Sequence, residues 1–428
     1  MIAVLVIAGV ASLAAFAGLH WYAWRRLVRD TTVRASLARR AGTAVFVLGP
    51  LLMFAAVASE RAGAPFWLQQ VLSWPGFLWM AFSIYLVLAV LVGEVVRPLL
   101  RRYLDRRSAP GGAEPGPVPE PVLVPTREPD ELPTVTTASI PTPTAPVTPS
   151  AAADPSRRLF VSRVVGGAAA VAATGIVGNG AYGVLRGPRV KRVTVPLARL
   201  PRSAHGFRIA VVSDIHLGPV LGRGFAQRVV DTINSTQPDL IAVVGDLVDG
   251  SVEDLAPAVA PLAGLRARHG TYFVTGNHEY FSGAEPWVEH VREIGLRPLE
   301  NARVEMGAFD LAGVNDVTGE NYGDGPDYDK ALGDRDPARA AVLLAHQPVM
   351  IHEAVKHGVD LQLSGHTHGG QLWPGNFIAD AANPTLAGLE RYGDTQLYVS
   401  RGAGAWGPPV RVGAPSDITV VELASKRA

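Results

Sequence analysis

The 428-residue chain contains no cysteine. Disulfides, iron–sulfur clusters, thiolate zinc sites and cysteine nucleophiles are therefore excluded, and any metal must be held by His, Asp, Glu, Asn or backbone oxygen. Charge is also scarce. Charged residues make up 18% of the chain, against roughly 25% in soluble domains, and mean hydropathy is +0.18. A chain disordered throughout is excluded, and buried or lipid-facing segments are expected. The net charge of +1 lacks the basic excess that marks a nucleic-acid partner, so none is expected.

What is abundant is apolar and clustered. Residues 1–24 carry no Asp, Glu, Lys or Arg and end in Trp21, Tyr22 and Trp24, aromatics suited to a membrane interface. As a helix this run is long enough for a ~30 Å hydrocarbon core. It lacks the leading positive charge of a signal peptide. Further runs span 41–59, about 77–96, and 164–185. Between the first two lie Arg25, Arg26, Arg29, Arg34, Arg39 and Arg40; after the third come Arg97, Arg101, Arg102, Arg106 and Arg107. The intervening loop has only Glu60 and Arg61. The positive-inside rule puts the two arginine-rich loops in the cytoplasm, which predicts a multi-pass cell-membrane protein with its C-terminal part outside.

Thirteen of the 34 prolines fall within 109–155. Proline removes amide donors and fixes φ, so an extended, solvated linker is expected there, with a polyproline-II docking segment as the alternative. Ser156-Arg157-Arg158-Leu159-Phe160 then precedes the fourth run. This block resembles a twin-arginine export signal, and a positive-inside membrane helix would have the same arrangement. The predicted organisation is three transmembrane helices in 1–104, a linker in 105–158, a fourth helix or signal-like segment in 159–186, and a catalytic domain in 187–428.

From residue 188 short β-rich runs alternate with helical spacing. Strands are expected at 207–213, 239–244, 271–275, 309–314, 341–345 and 361–364, and helices at 225–236 and 256–268. The acidic, glycine-rich stretch 316–336 reads as an exposed loop beside the site, with Asn315-Asp316 as candidate substrate-facing groups. The fold class is α/β, a layered αββα domain.

Five of these strands end in polar clusters: Asp214-Ile-His216, Gly245-Asp246-Leu-Val-Asp249, Gly276-Asn277-His278-Glu279, His346, and Gly365-His366-Thr-His368. Ligands gather at the carboxyl ends of strands in α/β sheets. These hard and borderline donors suit two divalent ions such as Mn, Fe or Zn, and too few carboxylates are present for a calcium cage. The remaining histidines, at 20, 205, 269, 290, 352 and 357, read as surface or capping residues.

The ordered set, with Gly365-His-Thr-His-Gly-Gly-Gln371 and the segment from Arg401 to Pro415, resembles the calcineurin-like metallophosphoesterases over residues 205–424. It is similar to their membrane-associated bacterial branch, which includes UDP-2,3-diacylglucosamine pyrophosphatase-like and twin-arginine-exported phosphoesterases. The resemblance implies one metal on Asp214, His216, Asp246 and His368, and a second on Asp246, Asn277, His346 and His366. It further implies His278 as general acid or electrostatic stabiliser, oriented by Asp249. A membrane-anchored phosphohydrolase is expected, acting on a phosphoester of lipid or cell-envelope origin. The alternative is a non-catalytic metal-binding receptor or sensor.

Overall fold

A computed structural model describes residues 2–107 and 155–426; residues 108–154 of the proline-rich linker lie outside them, and the ends of the expected linker, 105–107 and 155–158, belong to the flanking helices. The chain divides into two compact units. One holds Met1–Arg39 and Leu88–Ala170, the other Arg40–Val87 and Val171–Ala428.

Four long helices form where the apolar runs were expected: α1 (Ile2–Trp24), α2 (Leu37–Arg61), α3 (Phe66–Arg107) and α4 (Pro155–Leu185). Among the described residues Leu37–Arg61, Phe66–Arg107 and Arg158–Leu185 are long and apolar enough to cross a membrane. Helix α3 starts well before the expected residue 77, and its 42 residues extend roughly 63 Å, twice the hydrocarbon thickness. In the first unit Arg26 pairs with Asp30 at 3.2 Å and Glu94 at 2.7 Å. Glu94, the acid within the third apolar run, thus meets a cation from the first arginine-rich loop.

The second unit contains two six-stranded sheets among the described residues. The first holds β1 (Arg189–Leu197), β2 (Phe207–Val212), β3 (Leu240–Val244), β4 (Thr271–Val274) and β5 (Arg297–Pro298). The second holds β6 (Ala302–Glu305), β7 (Phe309–Gly313), β8 (Ala340–Leu344), β9 (Leu361–Ser364), β10 (Gly388–Tyr392) and β11 (Thr395–Val399). The last strand, β12 (Asp417–Ser425), returns to the first sheet, parallel to β1 and antiparallel to β2.

Strand alternation builds the layers. Ile209 and Val211 of β2, Leu240 and Ala242 of β3, and Val342 and Leu344 of β8 share one buried cluster between the sheets. Their neighbours Ala210, Val212, Ile241 and Val243 face α5 (Arg223–Ser235), α6 (Val252–Val259) and α8 (Ala284–Glu293). On the far side Leu343 packs with α9 (Tyr328–Leu332) and α10 (Ile351–Lys356). The result is the layered αββα arrangement expected from the strand–helix pattern. Phe66, the first residue of α3, packs against the outer cluster of the first sheet.

Two expectations need correction. The helix expected over 256–268 is α6 at Val252–Val259 followed by a 3-10 turn, Ala260–Gly264. Its start is set by Ser251, whose side chain accepts the Asp254 amide, an N-cap that fixes the first turn. The segment 316–336 is exposed over about half its residues, as expected, but it is not loop throughout. It contains a 3-10 helix, Val317–Tyr322, and α9, and it buries Asp316, Tyr328, Ala331 and Leu332.

Candidate metal centre

The donors stand just beyond the carboxyl ends of parallel strands. Asp214 and His216 follow β2, Asp246 and Asp249 follow β3, Asn277 and His278 open α7 (Asn277–Ser282) after β4, His346 follows β8, and His366 and His368 follow β9. Strands β2, β3 and β4 are parallel neighbours in one sheet, and β8 and β9 in the other. All nine predicted site residues come together in this one region, linked by the contacts below.

The backbone here is bent in an uncommon way. Asp214, His216, Asp246, His366 and His368 all have positive φ, between 49° and 73°. A left-handed non-glycine residue costs about 1–2 kcal/mol, and such strain concentrates at functional sites. At Gly276 and Gly365 a Cβ would collide with the carboxylates of Asp246 and Asp214 respectively, so both positions require glycine for close approach.

Three sets of His and Asp donors lie within 4.8 Å of one another: Asp214, His216, His368; Asp246, His346, His366; and His216, Asp246, His278. In the first, Nε2 of His216 and Nε2 of His368 are 3.0 Å apart, and Asp214 Oδ1 is 3.4 Å from the latter. Two nitrogens bound at about 2.1 Å and at right angles would be separated by about 3 Å, so the spacing fits ligands of a common ion. In the second, His346 Nδ1 donates to the carbonyl of Val244 at 2.8 Å. That fixes the tautomer and turns Nε2 toward Asp246 Oδ2, 3.1 Å away. Nε2 of His346 is fully buried and faces that carboxylate alone, a pairing that a shared cation would satisfy. His366 Nδ1 lies 2.9 Å from Asn277 Oδ1, so the amide joins the same set. Asp246 Oδ2 also lies 3.8 Å from His216 Nε2. One carboxylate therefore faces both clusters.

Asp249 spans two histidines. Its Oδ1 is 2.9 Å from His216 Nδ1 and 2.7 Å from His278 Nδ1. Burial disfavours the imidazolium of His278, but the hydrogen bond and charge of Asp249 outweigh it and hold the ring up to about 9. His278 is therefore protonated at neutral pH. Burial and the neighbouring His346 push His366 down to about 4. His368 is held well below the usual histidine range, first by burial and then by His216 and Arg411. These two rings are neutral at pH 7, the state in which imidazole binds metal.

Two supporting residues had no assigned role in the sequence. Glu279 is fully buried, and its carboxylate accepts the amides of Asp246, Leu247 and Gly276. It clamps the turns after β3 and β4. Arg411, also buried, donates to the carbonyls of Gly404, His368 and Ala414 and lies 3.0 Å from His368 Nδ1. Both belong to motifs already noted, but a second-tier contact leaves no spacing signal. Asn315 and Asp316, expected to face substrate, are buried and brace the following segment. Asn315 Nδ2 donates to Asp324 Oδ1, and Asp316 Oδ1 accepts from Thr318 N and Gln347 Nε2. The other histidines of this unit make peripheral contacts, such as His205 with Ser425 and His352 with Tyr392.

A family model described as calcineurin-like phosphoesterase matches residues 207–370. The chain is 37% identical over 275 residues to an uncharacterized metallophosphoesterase of Helicobacter pylori, covering 64% of this chain and 74% of that one. It is 41% identical over 253 residues to a transmembrane protein with metallophosphoesterase domain from Bos taurus, covering 55% and 57%. An uncharacterized metallophosphoesterase of Bacillus subtilis is 30% identical over 287 residues, covering 63% and 98%. The chain belongs to the calcineurin-like metallophosphoesterases, metal-dependent hydrolases of phosphoesters.

Proposed function

We propose that this protein is a membrane-anchored phosphohydrolase whose site holds two divalent ions. Asp214, His216 and His368 would bind one, Asn277, His346 and His366 the other, with Asp246 shared. The observation that carries this reading is the reach of the Asp246 carboxylate to histidines of both clusters. Such ions, when bound, polarise a phosphoryl oxygen and make water nucleophilic at neutral pH. The protein's own contribution is positional. Asp249 holds His278 protonated and directed, able to give its proton to a leaving oxygen or stabilise charge there. The His278 amide donates to Asp246 Oδ1 at 2.9 Å, tying the acid to the shared ligand.

A lipid or cell-envelope phosphoester is the substrate class we favour. Phe281 and Trp406, 64% and 59% exposed, stand with ring centroids 5.5 and 5.7 Å from that of His278. Exposed aromatics against the acid suit a phosphate carrying an apolar group. We place the anchor in residues 1–104 and 159–186, the linker in 105–158 and the hydrolase in 187–428, outside the cytoplasm. Packing of Phe66 against the hydrolase core supports a common side for that domain and the turn between α2 and α3. The arginine-rich segments lie at the opposite ends of those helices. Arg157 and Arg158 suit either a positive-inside anchor or a twin-arginine signal, and both give the same orientation.

The test uses the purified full-length protein in detergent. Metal content by mass spectrometry should be two ions per chain, and hydrolysis of bis(p-nitrophenyl) phosphate should vanish on chelation and return with added Mn. Bound metal without turnover of any phosphoester would establish the sensor reading instead. Protease added to intact cells should remove a C-terminal epitope and spare one near residue 130; the reverse would overturn the orientation.

A further inference from the structure

Beyond the metal centre, Arg401 makes no direct ion pair, although its charge reaches the buried carboxylate of Asp417. Among the described residues Arg401 has no side-chain hydrogen bond or ion pair, although it is largely buried. Arg411, ten residues on, commits its guanidinium to three carbonyls and a histidine ring. Arg401 instead lines a cavity of about 210 Å³ with Gly369, Trp373, Asn376, Leu386 and Val412. The side-chain oxygen of Asn376 is buried there and also lacks a partner. A guanidinium with no direct partner and an unpartnered amide oxygen in a partly apolar pocket suit an anion that carries its own donor groups.

The rim is apolar and open. Helix α11 (Gly375–Ala382) buries none of its residues. Phe377 and Ile378 are 64% and 76% exposed, and Trp373 is 48% exposed. Scattered apolar side chains need no explanation, but Trp373 lines the pocket, and Phe377 and Ile378 follow its Asn376 on the same exposed helix. This rim also continues into a membrane-crossing helix, since Tyr85 Oη of α3 donates to the backbone oxygen of Trp373 at 2.9 Å. A soluble anion would not use the exposed side chains, and a purely apolar partner would not use Arg401. Membrane phospholipid offers both, with a phosphate at the level of the interface and hydrocarbon immediately beneath it.

We propose that the Arg401 pocket is a non-hydrolytic binding site for the headgroup of an anionic membrane phospholipid, with Trp373, Phe377 and Ile378 inserted beside it. The pocket adjoins the metal centre. Gly369 follows His368 in the chain, and Gly402, next to Arg401, packs against Asp214. A lipid held there sets the hydrolase mouth against the bilayer, so the inference deepens the membrane reading while standing on different residues.

The experiment titrates full-length protein in neutral detergent with phosphatidylglycerol, phosphatidylcholine or inorganic phosphate, reading bound lipid by native mass spectrometry. Phosphatidylglycerol should bind best. Arg401→Gln should weaken it roughly tenfold, the scale of a lost charge-assisted hydrogen bond, and Arg401→Lys less. The double change Phe377→Ser with Ile378→Ser should weaken the lipid as well. Each variant is compared with the parent by its thermal midpoint without lipid, and Arg401→Lys serves if Arg401→Gln does not fold. Equal binding by folded Arg401→Gln overturns the proposal. So does inorganic phosphate binding as tightly as the lipid, which would mean a small-anion site. In Asp246→Asn, where hydrolysis is expected to stop, lipid binding should persist. Its loss there, with retention in Arg401→Gln, would put the lipid at the metal centre and refute this site while leaving the hydrolase reading intact.

Discussion

The guanidinium of Arg411 lies 3.0 Å from Nδ1 of His368, both buried in the wall of the metal centre. Guanidinium has no lone pair, so Nδ1 is the acceptor and the neutral ring carries its proton on Nε2, directed at His216 Nε2 3.0 Å away; a cation bound at Nε2 would displace that proton. Burial lowers Arg411 to about 10, which still leaves it charged at neutral pH. Arg411→Lys cannot reach all four acceptors. Metal affinity should fall about 10–100-fold, as for other residues that orient a ligand. Competition with a fluorescent chelator measures this, and unchanged affinity in a folded Arg411→Met would show that the contact only braces the loop.

Shared and unshared roles separate by mutation. Asp246→Asn removes charge facing both clusters and should abolish hydrolysis together with much of the bound metal. His278→Ala should retain metal and lose roughly 10²–10⁴ in turnover. Metal analysis alongside kcat distinguishes them. A His278→Ala protein stripped of metal would make His278 a ligand, as its proximity to His216 and Asp246 allows.

The His278–Asp249 pair predicts a pH profile. A proton held to about 9 is present at neutral pH and is lost as pH rises through that value, so activity needing it falls on the alkaline side. In Asp249→Asn the ring loses the partner that raised it, and the alkaline limb should move down toward 6.5, the ordinary histidine value. Rate profiles in one fixed metal would reveal the shift. Coincident limbs would assign the alkaline loss to another group.

Glu279 should be structural. Burial and nearby Asp246 push its carboxyl up to about 7 despite the amides it accepts. Glu279→Gln keeps one acceptor oxygen and turns an NH2 toward amide donors. The cost should be roughly 2–3 kcal/mol, or about 5–10 °C in the thermal midpoint. A full-length variant melting with the parent would remove the clamp from the account.

The site was legible because its chemistry sits at strand ends. A β-rich run broken by Asp214, Asp246, Asn277, His346 or His366 marks both a strand boundary and a ligand. The alternating apolar positions of β2 and β3 gave the layers for the same reason. What sequence concealed depends on contacts between distant segments. Glu279 follows His278 in the chain but works on Asp246 and Leu247, 33 and 32 residues away. Arg411 serves a histidine 43 residues earlier. The helix near 256 starts earlier than its apolar residues suggest because Ser251 caps it, and a 3-10 turn ends it at Gly264. The buried residues of 316–336 were hidden by acidic neighbours that point to solvent.

The place of β12 bears on how the chain is made. It fills the gap between β1 and β2, strands synthesised some two hundred residues earlier. Until residues near 420 leave the ribosome, β1 and β2 have open edges, and the floor beneath Asp214 is unfinished. Pairings this distant form late and leave the nascent chain open to aggregation. The edges of β1 and β2 that β12 covers therefore stay open through most of synthesis, and the strand leading to Asp214 gains this neighbour last.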